Sequence, residues 1–225
     1  MAEKSENKTA SAKLNGFLEK NRKSVLITFL VVLVIVIGFL CFEIIKTATS
    51  KKALAQVETL YYELIKDSSD LDDAAIAKRA TECIEKLASY TKKGGIAGVR
   101  ANMLSAELAY TQSDYEGAIA YYDAAISKGK KSYTAPICLY NKASCLEELG
   151  NLEEAEKAYR AAGDFAEFGM AAHAYFSLGR VLEAEGKFAE AAEAYKGVSD
   201  KFSDEDWGYL AKTRLIELKA LGKIE

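Results

Sequence analysis

The residue types that could carry covalent or metal chemistry are few in this chain and poorly spaced for it. His173 is the sole histidine, so a Ser-His-Asp or Cys-His constellation could be built only around it. A zinc site would need Cys83, Cys138, Cys145 and His173 to converge, yet no two cysteines have the C-x-x-C spacing of such sites. Cys138 and Cys145 share one helical stretch, about 10.5 Å apart by rise, beyond the roughly 7 Å that a disulfide spans between Cα atoms. They read as small buried apolar residues, and His173 reads as a packed or solvated one. The glycine-rich "KKGGIAG" at 92–98 lacks a lysine after its glycines and follows no strand, so it is no phosphate-binding loop. The expectation is a non-enzyme with no catalytic residues, no metal and no cofactor.

The elements that carry the remaining residues are helical. Half of the 225 residues are hydrophobic and 28% are charged, a globular composition, and Pro136 is the single proline among abundant Ala, Glu, Lys and Leu. An all-α fold follows. One stretch departs from that average: "VLITFLVVLVIVIGFLCF", residues 25–42, holds no charge. Eighteen residues at about 1.5 Å rise span roughly 27 Å, and continuing through Ile44 and Ile45 reaches a bilayer's hydrocarbon thickness. Residues 24–45 are therefore expected to form a transmembrane helix after a short cytoplasmic tail, 1–23. A cleaved signal peptide is the alternative. "ALA" at 53–55 has the shape of a cleavage site, but Lys51 and Lys52 intervene and the distance is long.

Positive charge sets orientation. Lys8, Lys13, Lys20, Arg22 and Lys23 precede the span, against Lys46, Lys51 and Lys52 within a similar distance after it. The bias keeps the amino terminus in the cytoplasm and puts everything after residue 45 across the membrane, in a bacterium the periplasm. The part beyond the tail is acidic, which argues against nucleic acid as a partner.

That part repeats itself. "QSDYEGAIAYY" (112–122), "LGNLEEAEKAY" (149–159) and "EGKFAEAAEAY" (185–195) align, so that Ala118, Ala155 and Ala191 recur at intervals of 37 and 36 residues, with Tyr122, Tyr159 and Tyr195 four residues after each. A two-helix unit of this length explains the spacing. The alanine permits close helix approach, the tyrosine one turn on fills the space beside it, and the glycine or polar pair before them ends the preceding helix. Ala155 and Tyr159 are thus expected between helices.

These residues resemble the tetratricopeptide repeat (TPR) family: Ala106, Ala118, Tyr122 and Ala125 in one unit; Ala143, Ala155, Tyr159 and Ala162 in the next; "SLG" at 177–179 with Ala191, Tyr195 and Val198 in the third. The period is two or three residues longer than the family's, and the family's proline is missing. The clear repeats run over about 98–200. Residues 53–66 and 71–90 read as a degenerate first unit with a polar turn at Asp67–Asp70, and "SDEDWGYLAKTRLIELKALGK" reads as a C-terminal capping helix. The whole is expected to be a TPR-like α-solenoid of antiparallel helix pairs over 46–225, preceded by one transmembrane helix.

The resemblance implies a groove lined by the first helix of each unit, which here means Arg100, Met103, Glu107 and Tyr110; then Ile137, Tyr140, Asn141, Ser144 and Glu147; then His173, Phe176, Ser177, Arg180 and Glu183. Asn141 and Arg180 are too few for the clamp that some TPR domains close on a terminal carboxylate. The mixed aromatic and charged lining suits protein or peptide segments. Tyr140, Phe176 and Arg180 are expected to reach into the groove with little packing of their own. The layout, with "FLEKNRK" at 17–23, the span and the charged helix after it, is similar to the bacterial ancillary subunit family of the Sec translocon. That likeness implies a scaffold in the inner membrane that meets secreted chains, the translocon or periplasmic chaperones. A cytosol-facing anchored receptor and a fixed subunit of another envelope complex remain open alternatives.

Overall fold

The computed structural model of the chain describes residues 15–68, 71–130 and 132–225. Lys8 and Lys13 of the basic flank, and Asp70 at the end of the expected polar turn, lie outside the described residues. The order is α1 (Arg22–Ile65), α2 (Asp73–Thr91), α3 (Gly95–Thr111), α4 (Tyr115–Lys128), α5 (Thr134–Glu148), α6 (Leu152–Gly163), α7 (Ala171–Ala184), α8 (Phe188–Lys201) and α9 (Asp206–Ala220). No strand occurs among the described residues. The chain divides into two compact units, one ending at Thr49 and the other running from Ser50 to Glu225.

In the first unit, the apolar side chains from Val25 to Ile45 are largely exposed. By length and composition this stretch of α1 is enough to cross a membrane. The helix continues unbroken to Ile65, so the apolar segment and the expected helix over 53–66 are one element.

The second unit is built from helix pairs: α3 with α4, α5 with α6 and α7 with α8. Each pair is joined by the same turn. Gly150 and Gly186 adopt φ of 75° and 77°, the left-handed conformation that glycine takes without a Cβ penalty. The Asn151 amide then donates to the Leu146 carbonyl at 2.9 Å, and the Lys187 amide to that of Leu182 at 2.9 Å, closing a Schellman motif. Ser113 takes the same role with φ of 60°, and Gly222 repeats it after α9. Asp114 then caps α4, its carboxylate accepting from the Gly117 amide at 3.0 Å.

Apolar burial runs on from pair to pair instead of forming one centre. Val57, Ala80, Cys83, Leu87, Ala101 and Leu104 make a cluster shared by the end of α1, α2 and α3. Val99, Ala106, Ala118, Tyr122 and Cys138 join α3, α4 and α5. A third cluster runs from Ala143 and Tyr159 to Tyr195, Ala211 and Leu218. Here α9 covers the apolar face that α7 and α8 would otherwise leave open, as a capping helix does. The repeat-defining residues hold the contacts their spacing predicts: Ala118, Ala155 and Ala191 are fully buried, as are the rings of Tyr159 and Tyr195.

The small partner of Tyr195 is Gly179 of α7. A Cβ built there would meet Cε1 of the Tyr195 ring at 2.6 Å, too close for the ring to stay. Gly197 on α8 has nothing within 4 Å of the same construction. Gly179→Ala is therefore expected to cost about 1–3 kcal/mol through overpacking. Gly197→Ala should instead stabilise by about 0.5–1 kcal/mol through helix propensity. Thermal unfolding followed by circular dichroism checks both signs.

Candidate functional site

The first helices of successive pairs, α3, α5, α7 and α9, form one face, and twelve of the fourteen groove residues inferred from sequence are distributed over it in four ways, while Ile137 packs against the α3–α4–α5 cluster and Ser177 is buried. Glu107, Tyr110, Asn141 and Ser144 gather around a cavity of about 350 Å³, completed by Thr111 and Tyr122. Tyr140, His173 and Phe176 form an aromatic layer. Glu147, Arg180 and Glu183 are held in ion pairs. Arg100 and Met103 are engaged elsewhere: the Arg100 guanidinium bonds Glu58 of α1 at 2.8 Å and lies over the Tyr61 ring, while Met103 is buried in the α3–α4 core.

The aromatic layer depends on a residue that the sequence reading assigned only to the cap. Trp207, at the start of α9, stacks on the His173 ring with centroids 3.9 Å apart and 11° between planes. His173 Nε2 shares a hydrogen bond of 2.8 Å with the Tyr140 hydroxyl, and Phe176 sits between Trp207 and Tyr195 at 5.2 Å from each. Burial, and then the Arg180 charge, push the His173 imidazole below its usual range, so the ring is neutral at pH 7. Tyr140, Phe176 and Arg180 thus differ from the expectation of loosely packed groove residues. Rings projecting from α5, α7 and α9 bridge the gaps between these helices, and bridging them means packing on one another. The signal for Trp207 was present, since it follows His173 by 34 residues, as Arg214 follows Arg180.

A second pattern links the same helices by charge. Glu147 of α5 accepts from Arg180 of α7 at 2.7 and 3.0 Å and from the Tyr159 hydroxyl of α6 at 3.0 Å. Glu183 of α7 accepts from Arg214 of α9 at 2.7 and 2.6 Å and from the Tyr195 hydroxyl of α8 at 2.6 Å. Each is a bidentate guanidinium–carboxylate pair with a tyrosine as third member. In Ser144, the hydroxyl that lines the cavity is also 3.0 Å from the Tyr159 hydroxyl.

Burial pushes the thiols of Cys138 and Cys145 up to about 12 and about 11, so both stay protonated and unreactive. Among the described residues no group of three or more His, Cys, Asp or Glu is placed to hold a metal ion. What the face presents is a carboxylate, hydroxyls, an amide and aromatic edges.

Removing one clamp should test its weight. Burial alone would raise the Glu183 carboxyl, but hydrogen bonds from Arg214 and Tyr195 outweigh it and hold the group below the usual range. Its stabilising contribution is therefore present above the unfolded-state pKa of glutamate and is lost as pH falls through the lowered folded value. Arg214→Ala is expected to cost about 1–2 kcal/mol at pH 7. The gap to the parent protein should narrow as pH drops below about 4, once Glu183 is protonated in both. Denaturant unfolding at several pH values checks the trend.

Comparison with known proteins agrees with this geometry. Residues 15–223 match the family described as Tetratricopeptide repeat-like domain. A TPR repeat-containing protein of Treponema pallidum (strain Nichols) is 30% identical over 151 residues, 67% of this chain and 61% of that protein. Response regulator aspartate phosphatase J of Bacillus subtilis (strain 168) is 36% identical over 97 residues, 41% of this chain and 26% of that protein. The chain thus spans less than two thirds of either relative. Among solved structures, a Rap protein complexed with Competence and Sporulation Factor superposes with a TM-score of 0.52 at 24% identity, covering 77% of this chain and 48% of that one. TPR-like repeats of a Podosopora anserina kinesin light chain give 0.58 at 12% identity, covering 77% and 88%. These structures share the fold. With its registered helix pairs, its Schellman turns and a match over nearly its whole length, the chain belongs to the Tetratricopeptide repeat-like domain family.

Proposed function

We propose that this protein is a non-catalytic scaffold, anchored in the bacterial inner membrane by the apolar part of α1, that holds segments of protein partners along the α3–α5–α7–α9 face on the periplasmic side. The observation that carries the reading is the cavity among Glu107, Tyr110, Thr111, Tyr122, Asn141 and Ser144, opening on the helix face that repeat proteins of this kind use for partners. The excess of Lys and Arg before Val25 supports the orientation, and the chargeless stretch 25–42 supports the anchor. The partners are secreted chains passing the Sec translocon, the translocon itself or periplasmic chaperones. This assignment rests on the likeness of layout to the ancillary subunit family, and on an acidic repeat domain that repels nucleic acid.

Two measurements on the full chain in intact membranes test it. A reporter enzyme that folds only outside the cytoplasm, fused after Glu225, is expected to be active; activity of a cytoplasmic reporter at that junction would instead favour the cytosol-facing receptor. A photoreactive amino acid in place of Thr111, beside the cavity, is expected to cross-link envelope proteins, while the same group at Lys196, exposed on α8, should give few adducts. Equal labelling from both positions would move the binding surface off the proposed face. One stoichiometric adduct from Thr111, with no others, would identify a fixed subunit of a larger complex.

A further inference from the structure

Successive first helices are tied by arginine to glutamate at every junction but one among the described residues. Arg100 of α3 reaches Glu58 of α1, Arg180 of α7 reaches Glu147 of α5, and Arg214 of α9 reaches Glu183 of α7. The α3–α5 junction breaks the series. Tyr110 occupies the register of Glu147 and Glu183, 37 residues before the former, and Ser144 occupies that of Arg180, 36 residues before it. Tyr122 keeps the place of Tyr159 and Tyr195. A clamp of carboxylate, tyrosine and guanidinium is thereby replaced by two tyrosines and a serine. The cavity of about 350 Å³ lies at this position, lined by the substituting residues Tyr110 and Ser144 together with Tyr122.

One more residue decides what the cavity suits. Glu107 lies one turn before Tyr110, half-buried, and has no ion-pair or hydrogen-bond partner among the described residues. The nearby guanidinium, Arg100, is committed to Glu58 and to the Tyr61 ring. Burial raises the Glu107 carboxyl above its usual range, with Arg100 opposing, which is the mark of a carboxylate short of a counter-charge. Around it stand the phenol groups of Tyr110 and Tyr122, the Asn141 amide beside the Tyr122 hydroxyl, and the Ser144 hydroxyl. Among the described residues no lysine or arginine lines the cavity. A lone carboxylate among neutral acceptors, partly withdrawn from water, favours an incoming cation with several donors.

We propose that this cavity is a subsite for one cationic side chain, arginine or lysine, of the protein segment held on the α3–α5–α7–α9 face, the partner's cation standing where Arg180 and Arg214 stand at the later junctions. The subsite rests on the scaffold reading above and adds to it a sequence preference. A segment lying along the face would place a basic residue opposite Glu107 and aromatic or apolar residues toward Tyr140, Phe176 and Trp207.

The test uses the full chain in detergent micelles and four pools of capped decapeptides. Each pool fixes one central residue, Arg, Lys, Gln or Glu, and draws the rest from uncharged residues; affinity is read by fluorescence anisotropy. The Arg and Lys pools are expected to bind about tenfold or more tightly than the Gln and Glu pools, as a charge-assisted contact in a half-buried site allows. Glu107→Gln should shrink that preference to below about twofold, with the melting temperature not lowered. The double variant Tyr110→Glu with Ser144→Arg writes the later clamp into the α3–α5 junction and should also erase the preference; if it does not fold, Glu107→Gln alone decides. Equal binding of all pools by the parent protein, or a preference that survives Glu107→Gln, overturns the subsite and leaves the scaffold reading standing. Failure of every pool to bind overturns the subsite too. The scaffold reading falls with it only if the Thr111 photoreactive variant also captures nothing.

Discussion

Three buried tyrosines serve as core and as surface at once, and the architecture of the repeat unit follows from that double duty. Tyr122, Tyr159 and Tyr195 bury their rings between the two helices of a pair and the next pair. Each ring needs a small residue opposite, which is why Ala106, Ala143 and Gly179 stand in the first helices and why Gly179 cannot carry even one more carbon. The phenol hydroxyl cannot be left dry without cost, so it must reach the groove side and find a partner there. Glu147 and Glu183 provide that partner, and Arg180 and Arg214 then complete the charge. The polar chemistry of the face is thus a consequence of how the core is filled.

Such coupling explains why the face is uneven. Where the glutamate and arginine are present, consecutive first helices are bridged, and their side chains are used up within the protein. Between α3 and α5 the same tyrosine remains, but the bridging charges do not, and a cavity results whose carboxylate is unpaired among the described residues. The aromatic layer is uneven in the same sense: it is dense from Tyr140 to Trp207 and does not extend to Met103, which packs inward instead. One end of the face is therefore closed by stacked rings and paired charges, and the other holds a cavity beside Glu107.

Much of the fold could be read from the residues because a repeat restates its own constraints. Alanine and tyrosine four apart, glycine at the turn and the recurrence at 36 or 37 residues identify two-helix units whose helices follow from spacing. The cap was likewise legible from the acidic start of its segment and from Gly222, although the helix begins at Asp206 behind Glu205 and takes no cap from Ser203. The candidate site was legible only as a set of fourteen positions on one face. Their separate fates were not, since whether Arg180 is a free anchor or Glu147's partner depends on a residue 33 positions away, and helical periodicity does not reach across a turn and a second helix. Trp207 was hidden for a related reason: the last interval shortens to 34 residues, and the helix that carries it was assigned a structural task.

The amino-acid sequence by itself determined the helix pairs, the turns, the buried alanines and tyrosines and the apolar segment before them, because these depend on contacts one or two turns apart or on composition alone. Only the tertiary structure decided which inward-facing charges cancel and which are left over. Pairing of Glu58 with Arg100, Glu147 with Arg180 and Glu183 with Arg214 requires side chains from helices 31 to 42 residues apart in the chain to meet within hydrogen-bonding distance. An ion pair's worth depends on separation and on access of water, and both are set by how the helices pack. Glu107 reads like any other helix-surface glutamate until that packing places it, half-buried and unpaired, beside the one junction without a clamp among the described residues.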